Sequence, residues 1–183
     1  MIEKRKYNNM NGLSEIPRSI INYLLENNDT IFKLLKYDTI DALFKNITFQ
    51  EKLELVSSAE TGDGITDKSR IFFDIYLDDT TTEVQSQLRF FVKDLEPINE
   101  YISKVYIGIQ IISHNNISML SGNINRKTKI LEEVIKSLNG AHIGYIGEIL
   151  FVPRSRVNYM SINPKFSGYN LTMTVDVAGK DDR

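Results

Sequence analysis

The chain has no cysteine among its 183 residues, which excludes disulfides and thiolate chemistry and fits a reducing compartment. It has little net charge. The formal value is -2, so there is no strong global field, and bulk charge argues against a dedicated nucleic-acid binder. No apolar run approaches the roughly 20 residues that cross a bilayer, so no membrane partner is expected. The start, MIEKRKYNN, is basic and has no apolar segment behind it, which predicts no secretory leader. Histidine occurs only at His114 and His142, and their spacing matches no zinc motif, so each reads as a loop residue. Repeats and low-complexity segments are absent.

What remains is a chain that is 42% hydrophobic, enough for one real core. Its most informative block runs from Val105 to Phe151. In VYIGIQIIS, Val105, Ile107, Ile109 and Ile111 point one way, and Tyr106, Gly108 and Gln110 point the other. A helix is predicted at about 125–139, with Ile130, Leu131, Val134, Ile135 and Leu138 on one face. Arg126, Lys127, Lys129, Glu132, Glu133 and Lys136 fall elsewhere, and the basic first turn opposes the helix dipole. Gly140 caps the helix, and EILFV then returns as a buried strand.

Upstream, residues 1–13 read as an extended arm and residues 14–58 as a helical segment. Pro17 suits a first helical turn, Asn28 and Asp29 break that helix and cap the next, and Asp38 starts a further turn carrying Ile40, Leu43 and Phe44. Thr48 and Glu51 have capping-box spacing, while LELV after them reads equally as a first strand. AETGDGITDKS is a loop. The sheet domain spans 66–179. RIFFDIYLDD and SQLRFFVKDLEP alternate, Pro97 ends the second, and YNLTMTVDV closes with Leu171, Met173, Val175 and Val177 on one face. The fold class is α+β: a mostly antiparallel sheet of about five strands packed by a helix, with an N-terminal helical segment. Ile109, Ile111, Val134, Leu138, Leu150 and Val175 form the expected core.

Reactive constellations are few. Asp78, Asp79 and Glu83 read as a solvated turn, and TGDGITD lacks the ligand spacing and closing Glu of a calcium loop. The glycines of GAHIGYIGE follow a helix and precede a strand, the reverse of a phosphate loop. The Asn-x-Ser/Thr matches at Asn46, Asn116 and Asn170 carry no weight without a leader. No catalytic residue, cofactor or metal is expected. The basic groups Arg126, Lys127, Lys129 and Arg154, Arg156, Lys165, the latter interleaved with Tyr159, Phe166 and Tyr169, suit a protein contact better than single-stranded nucleic acid. The connection 153–168 reads as a long loop without structure of its own, and the candidate interface is Arg154, Arg156, Tyr159, Met160, Lys165 and Phe166.

The order of a long β pair, the strand VYIGIQIISHN, a polar loop, the helix NRKTKILEEVIKSLNG, the strand IGEILFV and a terminal strand resembles the head–tail connector and tail-terminator proteins of long-tailed bacteriophages. The resemblance is carried by residues 105–152 and does not extend over 14–58. It implies a structural, non-catalytic virion protein at the neck, assembled in the host cytoplasm. Its partners would be its own copies in a ring, neighbouring neck and tail proteins, and DNA in the channel without sequence preference. The rival readings are a small α+β enzyme with a site in loops 78–83 and 114–125, and a nucleic-acid-binding accessory protein.

Overall fold

Local sequence signals start each N-terminal helix, a proline for the first and side-chain caps for the next two. The computed structural model describes residues 12–57, 67–74, 83–99, 101–151 and 157–178. Helix α1 (Ile16–Asn27) carries Pro17 in its first turn, where a missing N–H costs nothing, and buries Ile16, Ile20, Ile21, Leu24 and Leu25. Asn28 then leaves the helical region, and its side chain accepts a hydrogen bond from Ile31 N, starting α2 (Asp29–Lys36). Thr48 and Glu51 form the expected capping box at the head of α3 (Phe49–Leu53). Asp38 starts no helix. A single 3₁₀ turn forms at Ala42–Phe44, and the Ile40 and Phe44 side chains are exposed. Most of the arm, residues 1–11, lies outside the described residues.

The sheet has the strand order β1-β2-β3-β9-β7-β6, with β8 also on β9. Its members are β1 (Ile71–Phe72), β2 (Ser86–Pro97), β3 (Ile102–His114), β6 (Ala141–His142), β7 (Glu148–Leu150), β8 (Asn158–Ser161) and β9 (Phe166–Ala178). A separate small hairpin joins β4 (Met119–Leu120) to β5 (Ile124–Asn125). The sheet is antiparallel except that β1 runs parallel to β2, and Val56 adds one parallel bridge to Ile71. That bridge is what LELV contributes in place of a strand.

Cross-strand register decides what faces inward. Leu88, Phe90 and Val92 lie opposite Ile111, Ile109 and Ile107. Ile109, Ile107 and Val105 lie in turn opposite Leu171, Met173 and Val175. These rows face the helices: α1 and α2 lie over β2, and α4 (Arg126–Leu138) lies over β3 and β9. One core cluster takes in residues from all of them, so the helical segment and the sheet share a single apolar interior. Both β3 and β7 are antiparallel to β9, hence parallel to each other, and α4 is the crossover between them.

Several expectations are corrected. Ile149, not Leu150, is the core residue of β7: Ile149 pairs with Val175 and is fully buried, whereas Leu150 is 42% exposed. A continuous apolar run carries no alternation to reveal this. EILFV contributes only a three-residue strand. RIFFDIYLDD contributes the two-residue β1, and residues 75–82 lie outside the described residues. The 153–168 connection is not structureless, because Asn158–Ser161 forms β8 and pairs with β9 from Asn158↔Asn170 to Ser161↔Ser167.

Two glycines are required by geometry. Gly140 ends α4 at φ 80, where a side chain is strained. Gly168 lies so close to β3 that an added Cβ would sit 1.7 Å from the Ile111 carbonyl oxygen.

Candidate interaction surface

The β8–β9 hairpin presents the predicted contact residues unequally. Tyr159 is 62% exposed and packs edge-on against Tyr169, with ring centroids 5.8 Å apart. The Tyr169 hydroxyl lies 3.3 Å from Thr128 Oγ1 on α4, so this aromatic pair flanks the start of that helix. Met160 is half-buried and Lys165 is exposed. Phe166 is not a surface residue. Its ring is fully buried, edge-on to His114 at 5.0 Å. Arg154 and Arg156 lie outside the described residues.

The turn carrying Lys165 is held by a buried polar network. Serines occupy one cross-strand row, Ser86↔Ser113↔Ser167↔Ser161, on the helix-facing side of the sheet. Ser86 and Ser113 hydroxyls are 2.9 Å apart. The Lys127 ammonium reaches down from α4 and donates to Ser167 Oγ at 2.6 Å and to Asn115 Oδ1 at 3.3 Å. Ser167 Oγ donates to Asn115 Oδ1 at 2.6 Å, and Asn115 donates through Nδ2 to Pro164 O and through its backbone N–H to Lys165 O. A lysine on a serine hydroxyl is also the pairing that activates a nucleophile. Here Lys127 and Ser167 are both more than nine-tenths buried, and the serine proton is engaged by Asn115. The arrangement fastens the β8–β9 turn to the end of β3.

Arg126 overturns the reading of a basic patch ahead of α4. It is fully buried. Its Nε donates to Ile117 O at 2.8 Å, one terminal nitrogen to Leu34 O and Tyr37 O at 2.8 and 2.7 Å, and the other to Thr39 O at 2.8 Å. Two of these carbonyls belong to the end of α2, where unpaired acceptors and the helix dipole favour a cation. Burial lowers the guanidinium pKa from its ordinary value, and the charge of Asp38 opposes that shift. Asp38 is pushed up by its own burial, against Arg126 and Arg70. The charge placed awkwardly in the first turn of α4 therefore completes another helix. Lys129 stays on the surface side, bridging Glu132 and Glu133 at 3.0 Å each.

The remaining candidates do not converge. His114 is buried at the end of β3, not in a loop, and its Nδ1 accepts from Asn116 N at 3.1 Å. His142 is exposed, 3.9 Å from Glu148. Among the described residues no group of three His, Asp or Glu is placed to hold a metal, and no helix is long and apolar enough to cross a membrane. Asp78 and Asp79 lie outside the described residues. A polar, open pocket of about 400 Å³ between α1, α2 and α4 is lined by Asn28, Asp29, Glu133 and Ser137. Asn28 Nδ2 there already donates to Glu133 at 3.2 Å and to Ser137 at 2.7 Å.

Sequence reasoning missed a second set of exposed apolar side chains. Ile98, Tyr101 and Ile102 stand at the tip of the β2–β3 hairpin, Met119 and Ile124 on the two faces of the β4–β5 hairpin beyond the other end of β3, and Ile40 and Phe44 on the segment that Ser121 holds. The available signal was apolar residues lying inside turn-forming stretches such as PINEYIS.

No curated protein matches the chain. The sequence model of the YomW family matches residues 28–175, from the cap of α2 into β9. The chain thus belongs to the YomW family, a Bacillus phage-region protein family, and is a phage-associated protein.

Proposed function

We propose that this protein is a virion structural component that forms a ring at the head–tail junction, as a neck, connector or tail-terminator subunit. The supporting observation is the set of large apolar side chains held in solvent on ordered turns and edges, with Phe44 79% and Tyr101 70% exposed. Side chains of that size on rigid elements suit contacts between protein subunits. Membership of a phage-associated family supports the same reading. In it the protein is not an enzyme and works in the assembled particle. Its partners are its own copies and the adjacent neck and tail proteins, with non-specific contact to DNA in the channel. The β8–β9 surface, with Tyr159, Met160 and Lys165, touches a neighbouring subunit.

Sedimentation of the purified chain together with mass spectrometry of purified phage particles tests this. The expected result is a discrete oligomer in solution and the chain present in particles at a fixed multiple of the portal. Tyr159→Ala should weaken assembly while leaving the melting curve of the subunit unchanged. A monomer that is absent from particles would overturn the proposal.

A further inference from the structure

We infer that copies of this chain join head to tail, the β2–β3 hairpin tip of one copy seating on the exposed Ile40 and Phe44, beside the β4–β5 hairpin, of the next. The inference rests on the ring reading above and specifies its contact.

The two apolar clusters lie at opposite ends of one rod. β3 has 13 residues, which at ~3.3 Å per residue separates its ends by about 40 Å. Ile98, Tyr101 and Ile102 stand at its start. At its finish the chain passes through the 3₁₀ turn Asn115–Ile117 directly into β4, which carries Met119.

Both ends are held in shape before any partner arrives. At the tip, the Asn99 side chain accepts from Tyr101 N and Ile102 N, each at 2.8 Å, and Ile98 N donates to Ile102 O at 2.9 Å. At the far end, Ser121 donates to Ile40 O from its backbone N–H at 2.8 Å and from its hydroxyl at 3.0 Å. That pair of bonds fastens the β4–β5 hairpin to the segment bearing Ile40 and Phe44. Arg126 holds Thr39 from below, and Lys45 reaches Thr39 Oγ1 and Asp41. Ordering of loose loops, a main cost of association, is therefore small at either end.

The exposed apolar surface is of the scale of a modest subunit contact. From their fractional exposures, the side chains at the tip leave roughly 300 Å² in water, and Ile40 with Phe44 leave about the same. A standard interface covers about 800 Å² per partner, a little over half of it apolar. Each end supplies about two thirds of that apolar share, and its surroundings would supply the rest. The tip is a single two-stranded hairpin, about 5 Å from strand to strand, too narrow to cover a second tip. The far end is broader and assembled from two chain segments. Unlike patches at opposite ends make a heterologous contact, which closes into a ring or runs on as a filament, rather than an isologous dimer.

Paired variants test the contact with the full chain. One carries Ile98→Glu with Tyr101→Glu, and the other Ile40→Glu with Phe44→Glu. All four side chains are exposed, so far-ultraviolet dichroism and melting should match the wild type. Native mass spectrometry and sedimentation should show that each variant alone needs at least about tenfold more protein to associate. An equimolar mixture should form a one-to-one dimer and nothing larger, because one good tip meets one good far end. A tip variant that assembles like the wild type, or a mixture that stays monomeric, would overturn the inference. If the mixture dimerises as stated but the chain is missing from particles, the contact stands and the virion reading fails. If the chain forms a ring in particles and both variants still assemble, the virion reading stands and this contact fails.

Discussion

Replacing Arg126 should loosen the docking of the N-terminal helices on the sheet. The guanidinium makes four hydrogen bonds to carbonyls of Leu34, Tyr37, Thr39 and Ile117, and the bonds to Leu34 and Ile117 are fully buried. Arg126→Ala orphans two buried acceptors at about 1–3 kcal/mol each, and the two part-buried acceptors recover some water. Removal of the long side chain also leaves a void. Together these give an expected loss of roughly 3–5 kcal/mol, a large share of the ~5–15 kcal/mol that holds a typical domain. Arg126→Lys keeps the charge but offers a point cation with three donors in place of a planar fork, so it should recover about half of the loss. Urea unfolding followed by dichroism provides the assay, the midpoint falling in the order Arg, Lys, Ala with an unchanged slope. Hydrogen exchange adds a local readout, since the amide of Ser121, bonded to Ile40 O, should lose protection before the amides of β3 and β9. A loss below about 1 kcal/mol for Arg126→Ala, or equal stability of the Lys variant and wild type, would refute the carbonyl-cap reasoning.

Leu138→Ala, at a fully buried position of α4, should cost about 2–5 kcal/mol in chemical denaturation, and a near-neutral result would contradict the helix-on-sheet core. Gly168→Ala places a methyl group against the Ile111 carbonyl and should part β9 from β3, lowering the melting temperature or abolishing soluble expression; a variant that melts like the wild type would show that the approach is looser than described. Lys36, and then the Thr48 backbone N–H, hold the Glu51 carboxyl down to about 2 from its ordinary 4.5. A depressed acid stabilises above its unfolded-state pKa and loses that contribution as pH falls through the folded value. The melting difference between wild type and Glu51→Gln should therefore be fully present above pH 4.5 and shrink toward pH 2, and a difference independent of pH would count against the Lys36 contact.

Much of the fold is legible where a local rule and the tertiary outcome agree. The alternation of Val105, Ile107, Ile109 and Ile111 and of Leu171, Met173, Val175 and Val177 survives because both strands present one whole face to the helices. The caps at Asn28 and Thr48 are legible because their partners lie three residues away. The candidate surface is legible only in part. Tyr159 and Lys165 are exposed as expected, but Phe166 turns inward onto His114, which lies 52 residues earlier and reaches it only through strand pairing. Lys127 and Arg126 look like helix-surface cations, and their burial depends on Ser167 and on carbonyls about 90 residues upstream.

By itself the sequence determined the absence of disulfides, the α+β class, the amphipathic α4, the long alternating strands and the positions of the caps. Each of these rests on the identity of residues within one or two turns of chain or on a simple period. Packing between distant segments is what turns Ile149 rather than Leu150 to the core, brings Asn158–Ser161 into the sheet and sets Arg126 at the end of α2. It also decided that Ile98, Tyr101 and Ile102 stand in solvent at the start of β3, while Ile40 and Phe44 stand in solvent on a segment held by Ser121, beyond the other end of that strand. These outcomes depend on register and on contacts between distant segments, and a side chain's burial or exposure is a property of what the rest of the chain brings beside it.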